Sequence, residues 1–245
     1  MNNNNFTHGL IGGIVGTIFS HPFDTIKTRI QSSKVSTIKD AVKMGKLYSG
    51  ILPPLFGIGL EKSIVFGFYE LAKNNGFNTF TSGLFGGFMS TVVVVPVDRL
   101  KIILQNNGTI SKDIIKPSSL YKGFSITLFR ETPGFGIYFT TYNYLTNNYN
   151  REFNLGKTFL FGSLSGLNSW IFIYPSDLIK TKYQSICTNT NGSTIANTIT
   201  NVIKTIYKTN GIKGFYKGFN LAIIRALPLH GGVFLGYELS KKYCI

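Results

Sequence analysis

Cysteine, histidine, tryptophan and acidic residues are all scarce in this 245-residue chain. Two cysteines, Cys187 and Cys244, supply neither a disulfide framework nor metal-ligand spacing. Three histidines, His8, His21 and His230, stand far apart, so no metal site is expected. Ten acidic residues face 25 basic ones, a formal charge of +15. That imbalance would suit nucleic acid, anionic lipid or an anionic solute. The basic residues flank apolar segments instead of forming a block, which favours lipid headgroups. No zinc-finger, RRM or KH signature occurs, so no nucleic-acid partner is expected. No nucleophile–base pair or phosphate-cradling loop is present, which argues against an enzyme. Uninterrupted apolar runs are missing too, although 43% of residues are hydrophobic and only 14% charged. The start, Met1 to Asn5, has no Arg-rich amphipathic character, so any targeting signal is expected inside the chain.

What the chain does have is a motif in three copies. Pro-x-Asp-x-x-Lys-x-x-x-Gln occurs at Pro22/Asp24/Lys27/Gln31, Pro96/Asp98/Lys101/Gln105 and Pro175/Asp177/Lys180/Gln184, at intervals of 74 and 79 residues. Internal repeats dictate the fold reading that follows them. Nine and thirteen residues before each proline stands a glycine: Gly9/Gly13, Gly83/Gly87, Gly162/Gly166. Each pair is a GxxxG that lets helix backbones approach closely. After each proline comes an aromatic–x–glycine tag: Tyr48-Ser49-Gly50, Tyr121-Lys122-Gly123, Tyr216-Lys217-Gly218. Nineteen residues beyond each tag glycine is a tyrosine: Tyr69, Tyr142, Tyr237.

These offsets describe three helical hairpins, covering 1–76, 77–150 and 151–245. The fold expected is an all-α membrane protein of six transmembrane helices. Spans are placed near 7–32, 52–73, 78–106, 124–147, 156–184 and 219–241, each long and apolar enough to cross a bilayer. The proline-to-tag interval is 28, 27 and 43 residues, so the third connection has room for a surface helix near 193–209. The Thr37–Lys46 stretch has room for a short one at most.

Asp24, Lys27 and Gln31 share one helix face because they are three and four residues apart. Proline removes a backbone hydrogen bond and kinks a helix, so three such helices are expected to converge. Asp24, Asp98 and Asp177 would then meet Lys27, Lys101 and Lys180 on neighbouring helices, with Gln31, Gln105 and Gln184 bracing the ring. Intramembrane charges ordinarily pair and mark a pathway. A second set, Tyr69-Glu70-x-x-Lys73 and Tyr237-Glu238-x-x-Lys241, ends the even-numbered spans; its middle copy, Tyr142-Asn143-x-x-Thr146, has lost both charges. That ring therefore forms at most one complete ion pair between helices. Two rings at opposite ends of one pathway are what alternating access requires.

These motifs resemble those of the mitochondrial carrier family, over nearly the whole chain. The resemblance implies a pseudo-threefold six-helix bundle in the inner mitochondrial membrane, monomeric, with no cofactor. It implies that the Asp/Lys ring is a matrix gate, the Tyr-Glu-x-x-Lys ring a cytoplasmic gate, and that cardiolipin binds near the Tyr-Lys-Gly tags. One departure is Ile103, where the other copies carry Arg29 and Lys182.

The solute site is expected between the gates, on the even-numbered spans. Seven residues after the tag glycines stand Gly57, Arg130 and Arg225; eleven after stand Glu61, Gly134 and Leu229. Those positions share a face. Arg225 has no acidic residue within a turn in sequence and suits a carboxylate. Glu61 suits an ammonium, and Arg130 and Glu131 complete the set. Glu61 also has a structural alternative, pairing with Lys62, as does Arg130 with Glu131. His230 is read as a packed histidine or a lining residue, and Trp170 as a packing or lipid-facing residue. The expected solute is zwitterionic or cationic and amino-acid-like. By resemblance, Arg130-Glu131-x-Pro133 is similar to carriers of amino acids and carnitine, and Glu61 with Arg225 to ornithine and carnitine carriers. The segment Asp24–Arg29 resembles S-adenosylmethionine carriers. A non-transporting adaptor on the same scaffold is the other alternative.

Overall fold

The computed structural model describes residues 4–31, 38–43, 45–48, 50–107, 121, 124–149, 154–187, 195–216 and 219–243. The side chains of residues 27–31, 38–39, 41, 53, 97–107, 126, 180–187, 195–199, 210 and 221 lie outside that description. The described residues form eight α-helices and a 3-10 turn, with no strand. The helices are α1 (Asn4–Gln31), α2 (Ile38–Lys43), α3 (Leu52–Asn74), α4 (Thr79–Asn107), α5 (Phe124–Tyr149), α6 (Leu155–Cys187), α7 (Ile195–Asn210) and α8 (Phe219–Tyr243). Six are long, and each end falls within three residues of the expected span. The shortest of them, α3, has 23 residues and so extends about 35 Å, enough to cross a hydrocarbon core. α7 and α2 occupy the third and first connections.

One expectation needs correction. By composition, only Thr79–Pro96 of α4 is apolar enough to span, with a mean hydropathy of 1.4, among the described residues. The other long helices have the length without the uniform apolarity. Their place in the fold gives the reason. Each long helix packs on the two beside it in chain order, and α8 closes on α1, making a ring of six. A helix in a ring needs an apolar outer strip only; its inner face can carry charge. Phe56, Phe129 and Phe172 are accordingly 63–80% exposed on the outside, while Lys62 and His230 are buried.

The GxxxG glycines hold each hairpin together. A Cβ on Gly13 would lie 2.7 Å from the Gly59 backbone of α3. Gly83 has the same relation to the carbonyl of Phe135 in α5 at 2.7 Å, and Gly162 to that of His230 in α8 at 2.8 Å. No larger residue fits such contacts, which are how membrane helices gain packing without a hydrophobic driving force.

The three prolines sit inside continuous helices α1, α4 and α6. A proline leaves the carbonyl four residues earlier without its usual donor. For Pro96 that carbonyl belongs to Val92, and the hydroxyl of Tyr121 donates to it at 3.2 Å. For Pro175 it belongs to Ile171, and Tyr216 donates at 3.1 Å. The tag tyrosine thus supplies the hydrogen bond that the proline withholds. In the first repeat Tyr48 stacks on His21, ring centroids 6.2 Å apart.

An aromatic core fills the axis on the side of the Tyr-Glu-x-x-Lys motifs. Phe66, Tyr69, Phe139, Tyr142, Phe234 and Tyr237, two from each even-numbered span, are all buried. Tyr69 stacks on Phe139 with centroids 3.9 Å apart, and Tyr142 on Phe234.

Candidate functional site

Beneath that aromatic plug lies a cavity of about 170 Å³. Glu61 and Lys62 from α3, Arg130 and Glu131 from α5, Trp170 from α6 and Arg225 and His230 from α8 line it. All four residues expected to contact solute therefore face one space: Glu61, Arg130 and Arg225 because positions seven and eleven after each tag glycine share a helix face, and Glu131 as the neighbour of Arg130. Gly57, the first-repeat counterpart of Arg130 and Arg225, leaves open space where a Cβ would be.

The charges are paired, two pairs within a helix and two between helices. Lys62 Nζ lies 2.8 Å from Glu61 Oε1 and 4.6 Å from the Phe135 ring centre. Arg130 bridges two carboxylates, its own neighbour Glu131 and, at 2.5 Å, Asp177 of α6. Arg225 Nε stands 3.7 Å from Asp24 of α1, and its guanidinium lies 5.9 Å from the Trp170 ring centre. The absence of an acidic neighbour in sequence made Arg225 look free; it is not, because the ring fold brings α1 beside α8. The same relation joins Arg130 to Asp177: each arginine meets the motif aspartate at the start of the next repeat. These aspartates belong to the Pro-x-Asp motif, so two of its three copies reach arginines that line the cavity. The side chains of Lys27, Gln31, Asp98, Lys101, Gln105, Lys180 and Gln184 lie outside the described residues, and with them the expected ring of Asp–Lys pairs.

At the other end, Lys241 Nζ is 3.0 Å from Glu70 Oε1, and the Tyr237 hydroxyl donates to the same oxygen at 2.9 Å. The Tyr142 hydroxyl donates to Glu238 at 3.5 Å, and Lys73 donates to the Tyr69 hydroxyl at 3.3 Å. Lys241–Glu70 joins α8 to α3, across the boundary where both repeats kept their charges. Asn143 occupies the position where the middle repeat has neither a carboxylate nor, at Thr146, a lysine.

Two residues come to the site that the sequence reading left outside the solute set: Trp170, read as packing or lipid-facing, and His230, for which lining was one of two readings. Trp170 lines the cavity, so it is neither lipid-facing nor a simple packing residue. His230 lines it as well and accepts a hydrogen bond from Trp170 Nε1 at 3.2 Å. Comparison of the repeats could have revealed both. Five residues before the prolines stand Thr17, Thr91 and Trp170. The two threonines bond to carbonyls four residues back in their own helices, whereas the tryptophan reaches into the centre. Twelve residues after the tag glycines stand Lys62, Phe135 and His230, and all three line the cavity. A position that faces the axis in every repeat but differs in every repeat is asymmetric for the sake of what it contacts.

A sequence profile described as Mitochondrial carrier protein matches the chain three times, over residues 2–78, 74–153 and 151–245. A "Mitochondrial carnitine carrier" of Saccharomyces cerevisiae is 32% identical over 295 residues, covering 98% of this chain and 88% of its own. The "Mitochondrial glycine transporter YMC1" of the same yeast is 31% identical, covering 96% and 89%. A "Mitochondrial basic amino acids transporter" of Rattus norvegicus is 29% identical, covering 97% and 89%.

Proposed function

The chain belongs to the mitochondrial carrier family, whose members transport solutes, and from that membership we propose that it exchanges an amino-acid-like zwitterionic or cationic metabolite, of the basic amino acid or carnitine class, by alternating access as a multi-pass protein of the mitochondrial inner membrane. The observation that carries the solute class is the presence of both signs of charge on the cavity lining. Glu61 and Glu131 stand beside Lys62, Arg130 and Arg225. A solute that carries both an anionic and a cationic group finds a partner for each. A dicarboxylate would set two anionic groups against Glu61 and Glu131 in a site of low dielectric, where repulsion is poorly screened.

Arg225 is the entry point for the solute carboxylate. Its contact with Asp24, at 3.7 Å, is the longest of the pairs, whereas Arg130 is held by two carboxylates. A solute carboxylate gripping the guanidinium through two parallel hydrogen bonds outcompetes a single long contact. The solute ammonium takes Glu61 in exchange with Lys62. Displaced from Arg225, Asp24 turns to a lysine of the neighbouring odd-numbered span. Solute binding thereby favours closure of a matrix gate built of Asp24, Lys27, Gln31, Asp98, Lys101, Gln105, Asp177, Lys180 and Gln184. Opening of the opposite, cytoplasmic gate breaks the Lys241–Glu70 and tyrosine contacts of Tyr69, Glu70, Lys73, Tyr142, Asn143, Tyr237, Glu238 and Lys241. Both states then differ by a few exchanged pairs, as a two-state transporter needs. The same reading has the carrier working as a monomer with cardiolipin at the Tyr-Lys-Gly tags.

Reconstitution into liposomes with radiolabelled ornithine, arginine, carnitine, glycine, S-adenosylmethionine, ATP and citrate tests it. Uptake of ornithine, arginine or carnitine, lost in Arg225→Ala while the protein stays folded, is the expected result. Uptake confined to ATP or citrate refutes the solute class. Uptake confined to S-adenosylmethionine assigns the chain to that transport, and no uptake by well-folded protein makes it an adaptor.

A further inference from the structure

Three buried polar atoms around the cavity have no hydrogen-bond partner among the described residues: Nδ1 of His230, the hydroxyl of Tyr138 and Nε of Arg130. His230 is 8% exposed and Tyr138 1%. Buried polar groups are ordinarily satisfied, so three orphans around one space point to what the space is shaped to hold. Two of the three are uncharged.

The protonation of His230 follows from its neighbour. The indole N–H of Trp170 can only donate, and it donates to His230 Nε2 at 3.2 Å. Nε2 must therefore present its lone pair, and the ring proton sits on Nδ1. The imidazole is held as a neutral donor. The seat of the ring is built for it. A Cβ on Gly166 would fall 2.3 Å from the imidazole, and the Tyr138 ring lies beside it with centroids 5.0 Å apart. Neither Lys62 nor Phe135, the counterparts of His230 in the other repeats, offers a neutral donor.

We propose that His230 and Tyr138 form an uncharged hydrogen-bonding subsite that takes an oxygen acceptor of the solute, a hydroxyl, ester or carbonyl oxygen, distinct from the carboxylate at Arg225. Trp170 is its positioning residue, fixing the tautomer from one side and touching Arg225 from the other. The subsite rests on the amino-acid-like reading above and sharpens it: of two solutes with the same charges, the one bearing the extra oxygen binds about tenfold tighter, the worth of one well-placed hydrogen bond.

Trp170 is the only tryptophan of the chain, so its emission reports on this subsite directly. The purified full-length protein is titrated with two matched pairs, carnitine against γ-butyrobetaine and hydroxylysine against lysine, and the same pairs are measured in proteoliposome uptake. The oxygenated member of a transported pair should shift Trp170 emission saturably and show about a tenfold lower KM. His230→Phe and Tyr138→Phe should erase that preference by raising the KM of the oxygenated member to that of its partner. His230→Asn, which keeps an amide donor at the level of Nδ1, should restore part of it; His230→Gln, which keeps only the level of Nε2, should not. Uptake of these solutes without preference, or a preference unchanged in His230→Phe, overturns the subsite alone and leaves the transport reading standing. No uptake and no emission change with either pair overturns the amino-acid-like reading and the subsite together.

Discussion

Replacing Tyr121 by phenylalanine removes one hydroxyl and nothing else. That hydroxyl donates at 3.2 Å to the Val92 carbonyl, which Pro96 leaves without its helical donor. A neutral hydrogen bond of this kind contributes about 1 kcal/mol net, and an acceptor stranded in an apolar setting costs about 1–3 kcal/mol. Tyr121 is 39% exposed, so the lower figure applies. For a protein of this size about 1 kcal/mol corresponds to a fall of about 2–4 °C in Tm. Thermal unfolding of the purified protein in mild detergent measures it. The decisive step is the background. In Pro96→Ala the alanine N–H returns to Val92, so Tyr121→Phe should then cost almost nothing. The coupling across this double-mutant cycle should approach the whole single-mutant effect. Tyr216→Phe with Pro175→Ala repeats the test in the third hairpin, where the bond to Ile171 is 3.1 Å. If Tyr121→Phe lowers Tm equally with proline or alanine at position 96, the tyrosine is packing, not completing the helix, and the reasoning fails.

Gly13→Leu should prevent stable accumulation in the membrane fraction, since its Cβ would meet the Gly59 backbone at 2.7 Å, while Gly57→Ala, with open space around it inside α3, should raise Tm by about 2–4 °C through alanine's better helix propensity. Lys241→Met should lower Tm by about 2–4 °C, because it strips Glu70 of its cation at 3.0 Å; Glu70→Gln added to it should cost little more, read by the same unfolding assay. Asp24→Asn should keep solute binding, followed by Trp170 emission, yet slow turnover by about tenfold or more in proteoliposomes, because Arg225 then loses its carboxylate at 3.7 Å and the proposed matrix gate loses a member.

The repeat made the fold readable. Each offset, from GxxxG to proline to tag to tyrosine, fixes a position along a helix, and three copies fix the hairpins. Helix ends were therefore legible to within three residues. That Glu61, Arg130 and Arg225 face one space was legible for the same reason, since equal offsets must lie at equal depth, and Glu131 is there as the neighbour of Arg130. Hydropathy was the poor guide. Among the described residues it identifies α4 alone, because the inner faces of the other helices hold Lys62, Glu131, Arg225 and their partners.

What the sequence could not convey is which residue stands opposite which. Arg225 has no acid near it in the chain, and only the closing of α8 on α1 brings Asp24 within 3.7 Å. Trp170 and His230 lie 60 residues apart, and nothing in the chain joins them until α6 and α8 come side by side. Periodicity along one helix determines depth and face, which are local properties of a 3.6-residue turn. Pairing across helices depends on the order in which six of them close a ring, and that is settled only when their small residues pack backbone against backbone.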